Sequence, residues 1–194
     1  MKADIILAGV GGQGILSIAA TLGAAALNEN LHLKQAETHG MSQRGGAVVS
    51  HLRISDKPIW SDLIPKGSAD LILSVEPMES LRYLPYLKEG GSLVTNTEEF
   101  VNIPDYPDLE KEFEQLAERL NVIRIDADRI AKEIGNPRAS NMVMLGAASP
   151  FIDIDEEIIT KGIETIFAQK GAEIVELNVQ AFKAGREFAD RQIL

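Results

Sequence analysis

A glycine turn set between an apolar run and an alanine-rich segment limits this chain more than any other feature. Ile5-Ile6-Leu7-Ala8 leads into Gly9-Val10-Gly11-Gly12-Gln13-Gly14, and a long Ala-rich stretch from Ile15 to Leu27 follows. An apolar strand, a Gly-x-Gly-x-x-Gly turn and a helix start make the opening βα unit of a Rossmann-like sheet. Gly9 is expected to permit the tight turn. Gly11 is expected to let backbone N–H groups approach an anion, and Gly14 to let helix and strand pack closely. With Gly12 and Gln13 these residues form a candidate phosphate cradle. The same turn also serves as plain architecture with an empty crevice.

The rest of the chain extends that unit. Asp4 to Ala8 reads as a buried parallel strand. Gln13 to Asn30 reads as a helix that is apolar nearly all round, so it needs cover on more than one side. Leu31 to Glu37 is a second strand, and Glu37 stands about where a dinucleotide's ribose would meet an acid. Ala47 to Ile54 alternates as a strand. Asp56-Lys57-Pro58 reads as a turn and Ile59-Trp60-Ser61 as a short return strand, which predicts a hairpin. Ala69 to Val75 is again a buried strand. A helix from Pro77 through Leu87 is expected next, closed by Gly90-Gly91, followed by a strand over Ser92 to Thr95. Helices follow over Leu109 to Leu120 and Asp128 to Ile134, with a strand over Asn121 to Ile125 between them. Ser140 to Ala148 is a small-residue helix. Asp153 and Glu156 resemble a capping box for a helix over Glu157 to Gln169, and Glu176 to Asp190 is helical by period. This pattern predicts one α/β domain over residues 1–194. Its sheet is Rossmann-like, mostly parallel and flanked by helices, with an antiparallel hairpin insertion and a helical C-terminal third.

Charge and composition narrow the chemistry. The formal net charge of −10 argues against a nucleic-acid partner held by an overall basic field. With 0 cysteines, these residues form no disulfide and hold no cysteine-ligated iron–sulfur cluster. The apolar stretch from Ile15 to Leu27 is too short and too alanine-rich for a membrane span, and the start carries no signal-peptide pattern. A cytoplasmic protein with no membrane partner is expected. His32, His39 and His51 lack metal-ligand spacing, so no metal site is expected. There is no Gly-x-Ser-x-Gly elbow and no Walker-type Gly-Lys-Ser/Thr. The segment that invites chemistry is Thr38-His39-Gly40-Met41-Ser42-Gln43-Arg44-Gly45-Gly46. Arg44 offers a permanent cation beside the glycine N–H groups of Gly45 and Gly46, which suits a phosphate or a carboxylate. His39 and Ser42 are placed to orient such a group. Alternatively, Arg44 pairs with an acid across a subunit contact and the glycines only shape the turn.

Three ordered motifs carry a family resemblance. Gly9 to Gly14, then Arg44-Gly45-Gly46 with Arg53-Ile54-Ser55, then Asp70-Leu71-Ile72-Leu73-Ser74-Val75-Glu76-Pro77 resemble the gamma-type subunit or domain of the 2-oxoacid:ferredoxin oxidoreductases. Many relatives have Ser-Tyr-Gly where this chain has Thr38-His39-Gly40. The segment Glu37 to Gly46 instead resembles the indolepyruvate branch, in its beta subunit. The resemblance implies a partial enzyme that is silent alone. A companion subunit would carry thiamine diphosphate and, in the indolepyruvate branch, the iron–sulfur clusters. The complex would decarboxylate an aryl 2-oxoacid oxidatively, with coenzyme A as co-substrate and ferredoxin as electron acceptor. This chain would hold no cofactor firmly. It would supply His39 and Arg44 as an active-site wall, with Gly9, Gly11, Gly12, Gln13, Gly14, Ser42, Gly45 and Gly46 as candidate phosphate or coenzyme A contacts. A gamma subunit acting on pyruvate or another 2-oxoacid, a stand-alone NAD- or FAD-binding module and a scaffold with an empty crevice are the alternatives.

Overall fold

A computed structural model describes residues 1–40, 45–101 and 105–193. Ser42 and Arg44, with Met41 and Gln43, lie outside the described residues. Among the described residues, six strands form one sheet in the order β2-β3-β1-β4-β5-β6. Strand β1 (Lys2–Val10) sits at its centre. It pairs in parallel with β4 (Ala69–Ser74) and antiparallel with β3 (Ala47–Ser55). Outward from β4, β5 (Leu87–Asn96) and β6 (Asn121–Ile125) continue in parallel. Beyond β3, β2 (His32–His39) closes the other edge as an antiparallel hairpin partner.

The central strand is apolar on both sides because both faces of the sheet are covered. Ile5 and Leu7 enter one core with helices α1 (Ile15–Asn28), α4 (Ala127–Glu133), α5 (Ser140–Ala148), α6 (Glu156–Phe167) and α7 (Ala172–Ile193). Ile6 and Ala8 enter the other core, beneath α2 (Pro77–Arg82) and α3 (Glu110–Ala117). That two-sided burial is what a parallel sheet with crossover helices requires. Helix α1 gains its second cover from α6, where a Cβ on Gly162 would stand 2.6 Å from the Thr21 carbonyl oxygen. Among the described residues, no helix is long and apolar enough to cross a membrane.

Three local expectations change. Ile59-Trp60-Ser61 is not a return strand, and the hairpin is β2–β3. Strand β3 already has β1 on one side and β2 on the other, so the segment after it cannot fold back as a hairpin partner of β3. Side chains fasten it instead. Arg53 Nη1 donates to the Ser61 and Leu63 carbonyls at 3.0 and 3.1 Å, and His51 Nδ1 accepts from Ile64 N–H at 3.1 Å. The helix expected to reach Leu87 stops at Arg82, and Leu84–Tyr86 is a 3₁₀ turn. Pro85 lacks an N–H and disfavours helix at Leu84, so Gly90 and Gly91 fall inside β5, beside an irregular register with β4. Helix α6 begins at Glu156 with Asp155 as its cap residue and no side-chain cap bond. Ile152 and Ile154 are buried and turn Asp153 outward between them, away from a capping position.

A buried ion pair locks the start of β1 to β3. Asp4 is 1% exposed, and its carboxylate accepts from Arg53 Nε at 2.7 Å and Nη2 at 3.1 Å, with Lys2 Nζ at 2.8 Å. Burial pushes the Asp4 carboxyl up, but Arg53 and Lys2 outweigh it and hold the group below the usual carboxylate range. A depressed folded-state pKa stabilises the fold fully above the unfolded value, near pH 4, and less as pH falls through the folded one. Chemical denaturation should therefore show stability falling as pH drops below about 4. Asp4→Asn should flatten that fall and cost about 2 kcal/mol at pH 7, because the partly buried Arg53 loses its carboxylate and keeps only the Ser61 and Leu63 carbonyls.

Candidate functional site

The glycine turn leaves the carboxyl end of β1 and is closed by its own glutamine. Val10 N–H donates to Gln13 Oε1 at 2.8 Å, and Gln13 N–H donates back to the Val10 carbonyl at 3.2 Å. Gly9 lies where β1 meets the end of β4, since a Cβ there would stand 2.3 Å from Val75 Cγ2. Gly14 has φ 83° and caps α1. Its missing side chain makes room for Asn141 of α5, whose amide nitrogen a Cβ would meet at 2.6 Å, rather than for the strand. The Gly11 N–H, expected to face an anion, donates instead to the Gly46 carbonyl at 2.9 Å. The turn and the loop after β2 are therefore one unit.

On the other side of the turn lies a cleft of about 590 Å³. It opens where α1 leaves one face of the sheet and α2 the other, the position at which ligands meet open α/β sheets. Gly12, Gln13, Gly14 and Ser17 form one wall, and Arg138, Asn141, Lys170 and Asn178 form another. Helix α1 has no acidic residue in its first turn, so its amino end keeps a positive field toward the cleft. Arg138 and Lys170 have no carboxylate partner among the described residues, and Lys170 lies over the Phe167 ring at 5.0 Å. Asn141 is buried. Its amide nitrogen donates to the Gly14 carbonyl at 3.2 Å, and its Oδ1 has no partner among the described residues. Asn96 ties the floor together, donating to Asp128 Oδ2 at 2.7 Å and accepting from Ala127 N–H at 3.2 Å. An anionic ligand would meet Arg138 and Lys170 here beside a helix amino end, with the Asp128 carboxylate also lining the cleft.

The loop that carries the other candidates is anchored at both ends. Gly40 N–H donates to the Ala47 carbonyl at 2.9 Å, and His39 Nε2 contacts Glu37 Oε1. Gly45 sits by Phe100, whose Cε1 would lie 3.6 Å from a Cβ placed there. The Phe100 segment is itself pinned by Glu76, which is 1% exposed. One Glu76 oxygen caps α2 through Glu79 N–H at 2.7 Å. The other accepts from Tyr106 Oη at 2.5 Å and Phe100 N–H at 3.4 Å. Burial, with the Glu76 hydrogen bond second, pushes the Tyr106 phenol above its ordinary range, so it stays a donor.

Two histidines separate from the site, and one acid does not take the role expected of it. His51 accepts from Ile64 N–H and meets the Tyr86 ring edge-on at 5.4 Å, and burial lowers its pKa, which keeps it a neutral structural acceptor. His32 is exposed at the start of β2. Glu37 does not occupy a ribose position, because β3 lies between β2 and β1 and sets it two strand spacings, about 10 Å, from β1. Arg138, Asn141 and Lys170 gave no local signal in the sequence. Asn141 meets Gly14 across 127 residues, and only the seating of α5 on α1 brings them together.

A family model described as pyruvate ferredoxin/flavodoxin oxidoreductase matches residues 4–188. The chain is 36% identical over 200 residues to the indolepyruvate oxidoreductase subunit IorB of Pyrococcus horikoshii, covering 98% of this chain and 97% of that one. Its fold is similar to the keto/oxoacid ferredoxin oxidoreductase gamma subunit of Geobacter sulfurreducens. That match has a TM-score of 0.71 and 26% identity over 97% of this chain and 99% of the other. It is also similar to the 2-oxoglutarate:ferredoxin oxidoreductase of Magnetococcus marinus, solved with 2-oxoglutarate, coenzyme A and succinyl-CoA bound. Here the TM-score is 0.79 at 24% identity, and 98% of this chain covers 31% of that longer one.

Proposed function

The chain belongs to the pyruvate ferredoxin/flavodoxin oxidoreductase family, and we propose that it is the cluster-free subunit of an aryl 2-oxoacid, indolepyruvate-type, ferredoxin oxidoreductase. The end-to-end likeness to an indolepyruvate oxidoreductase subunit carries this reading. The reaction would be coenzyme A-dependent oxidative decarboxylation, with electrons passing to ferredoxin, in the cytoplasm. Thiamine diphosphate and iron–sulfur clusters would belong to the companion subunit. The chain has 0 cysteines to ligate an iron–sulfur cluster.

This chain's own work is binding and orientation. Arg44 supplies a permanent positive charge for the oxoacid carboxylate or a coenzyme A phosphate, and Ser42 supplies a hydroxyl. His39 supplies an imidazole at the same loop. The cleft beside Gly12 to Gly14, with Arg138 and Lys170, suits the phosphate-bearing end of coenzyme A, and Gly11 and Gly46 join it to the loop. In this reading the turn positions two surfaces instead of cradling a dinucleotide.

Co-purification from the native cell, followed by oxoacid-dependent reduction of a low-potential dye, tests the proposal. A companion subunit should accompany the chain. The complex should reduce dye with indolepyruvate and coenzyme A faster than with pyruvate or 2-oxoglutarate. The separated chain should be inactive, and turnover by the chain alone would falsify the reading.

A further inference from the structure

Strand β2 carries an alternation that the turn and the cleft leave unexplained. Gln35, Glu37 and His39 recur at every second residue, so all three stand on one face of the sheet. In the β2–β3 register Glu37 lies opposite Ser50, which is fully buried. Gln35 Nε2 donates to Ser50 Oγ at 3.0 Å and to Glu37 Oε2 at 3.3 Å. The other Glu37 oxygen contacts His39 Nε2. A line of contacts therefore runs from the buried Ser50 through a 12% exposed carboxylate to a 57% exposed imidazole at the lip of the candidate loop.

An isolated surface Glu–His contact is worth little. This one differs because the carboxylate is sheltered and held from behind. We infer that Glu37 is a positioning residue for His39. Its carboxylate accepts the Nε2 hydrogen, fixes the ring, and leaves Nδ1, which has no partner among the described residues, to accept or return a proton at the loop. A carboxylate that holds one ring nitrogen sets the tautomer and aims the other. What His39 then acts on rests on the proposed function; the orientation of its ring rests on the hairpin alone.

Nuclear magnetic resonance of the full chain and kinetics of the reconstituted complex test the two parts separately. An exposed imidazole N–H exchanges with water too fast to be seen, whereas one donated to a sheltered carboxylate persists. Wild-type chain should show a persistent Nε2–H resonance of His39, lost in Glu37→Ala and weakened in Gln35→Ala. Absence of that resonance in the wild type, or its survival in Glu37→Ala, overturns the inference without relying on any variant's activity. In the complex, Glu37→Gln should lower kcat about tenfold with KM within about twofold. The double variant with His39→Gln should be no slower than His39→Gln alone. Independent, multiplying losses would overturn positioning through His39. A retained resonance pattern with no kinetic effect of either change would uphold Glu37's role and sink the active-site reading of His39.

Discussion

Arg44→Ala is expected to lower kcat/KM of the reconstituted complex by about 100-fold, equivalent to about 2.7 kcal/mol of lost transition-state binding. The expectation rests on the chemistry of the side chain and on how its loop is held. A guanidinium is charged at every working pH and offers a planar fork that matches a carboxylate or phosphate. Loss of such a charge-assisted, two-pronged contact falls in this range when water is kept out. The loop's two stems are fixed to the sheet and to the glycine turn through Gly40–Ala47 and Gly11–Gly46, each at 2.9 Å. Little ordering is left for a ligand to impose on those stems. Arg44→Lys should recover part of the loss, because it keeps the charge and not the fork. Steady-state assays of wild type and both variants decide the matter. An alanine variant within threefold of wild type would return Arg44 to a subunit-contact role.

Gly146→Ala is expected to destabilise the chain by at least about 3 kcal/mol, seen as a melting temperature lowered by roughly 6–12 °C. Helices α5 and α7 touch backbone to backbone at two reciprocal glycines. A Cβ on Gly146 would stand 1.9 Å from the Phe182 carbonyl oxygen and 2.9 Å from Arg186 N. A Cβ on Gly185 would stand 1.9 Å from the Val143 carbonyl oxygen and 3.0 Å from Ala147 N. None of these atoms can rotate aside, so the helices must separate and give up close packing along their length. The damage should reach the cleft as well, because α5 brings Asn141 to it and α7 brings Asn178. Gly135→Ala is the control: its Cβ meets nothing within 4 Å, so only its left-handed backbone, φ 89°, resists the change. Scanning calorimetry of the three proteins gives the comparison. A Gly146→Ala midpoint within 2 °C of wild type would mean that the helices do not meet as closely as described.

The sequence made the fold readable because its strands are short and apolar and its helices periodic. Asp4 to Ala8 and Ala69 to Val75 read as buried strands and Asn121 to Ile125 as a further strand, and the glycine turn set the first crossover. Ser140 to Ala148 was placed to the residue by its composition. The errors arose where a neighbour decided. Ile59 to Ser61 has strand composition, but both edges of β3 were already taken. Leu84 to Leu87 continues a helical apolar pattern that Pro85 interrupts, and Tyr83, Leu84, Tyr86 and Leu87 then pack as an irregular cap on the second core.

For the site, local residue chemistry singled out the loop and the turn, and only the tertiary structure showed that the two are joined, through Gly11 N–H and the Gly46 carbonyl. Hydropathy and glycine spacing are properties of neighbouring residues, so the sequence by itself determined an α/β domain with a glycine turn, a polar loop and a helical C-terminal third. It could not reveal that the Gly11 N–H is taken by Gly46, that Gly14 is bare to admit Asn141, or that Arg138 and Lys170 face the same cleft. Those contacts join segments up to 127 residues apart. They exist because the sheet order and the seating of α5 and α7 bring distant backbone together, and no local pattern encodes that seating.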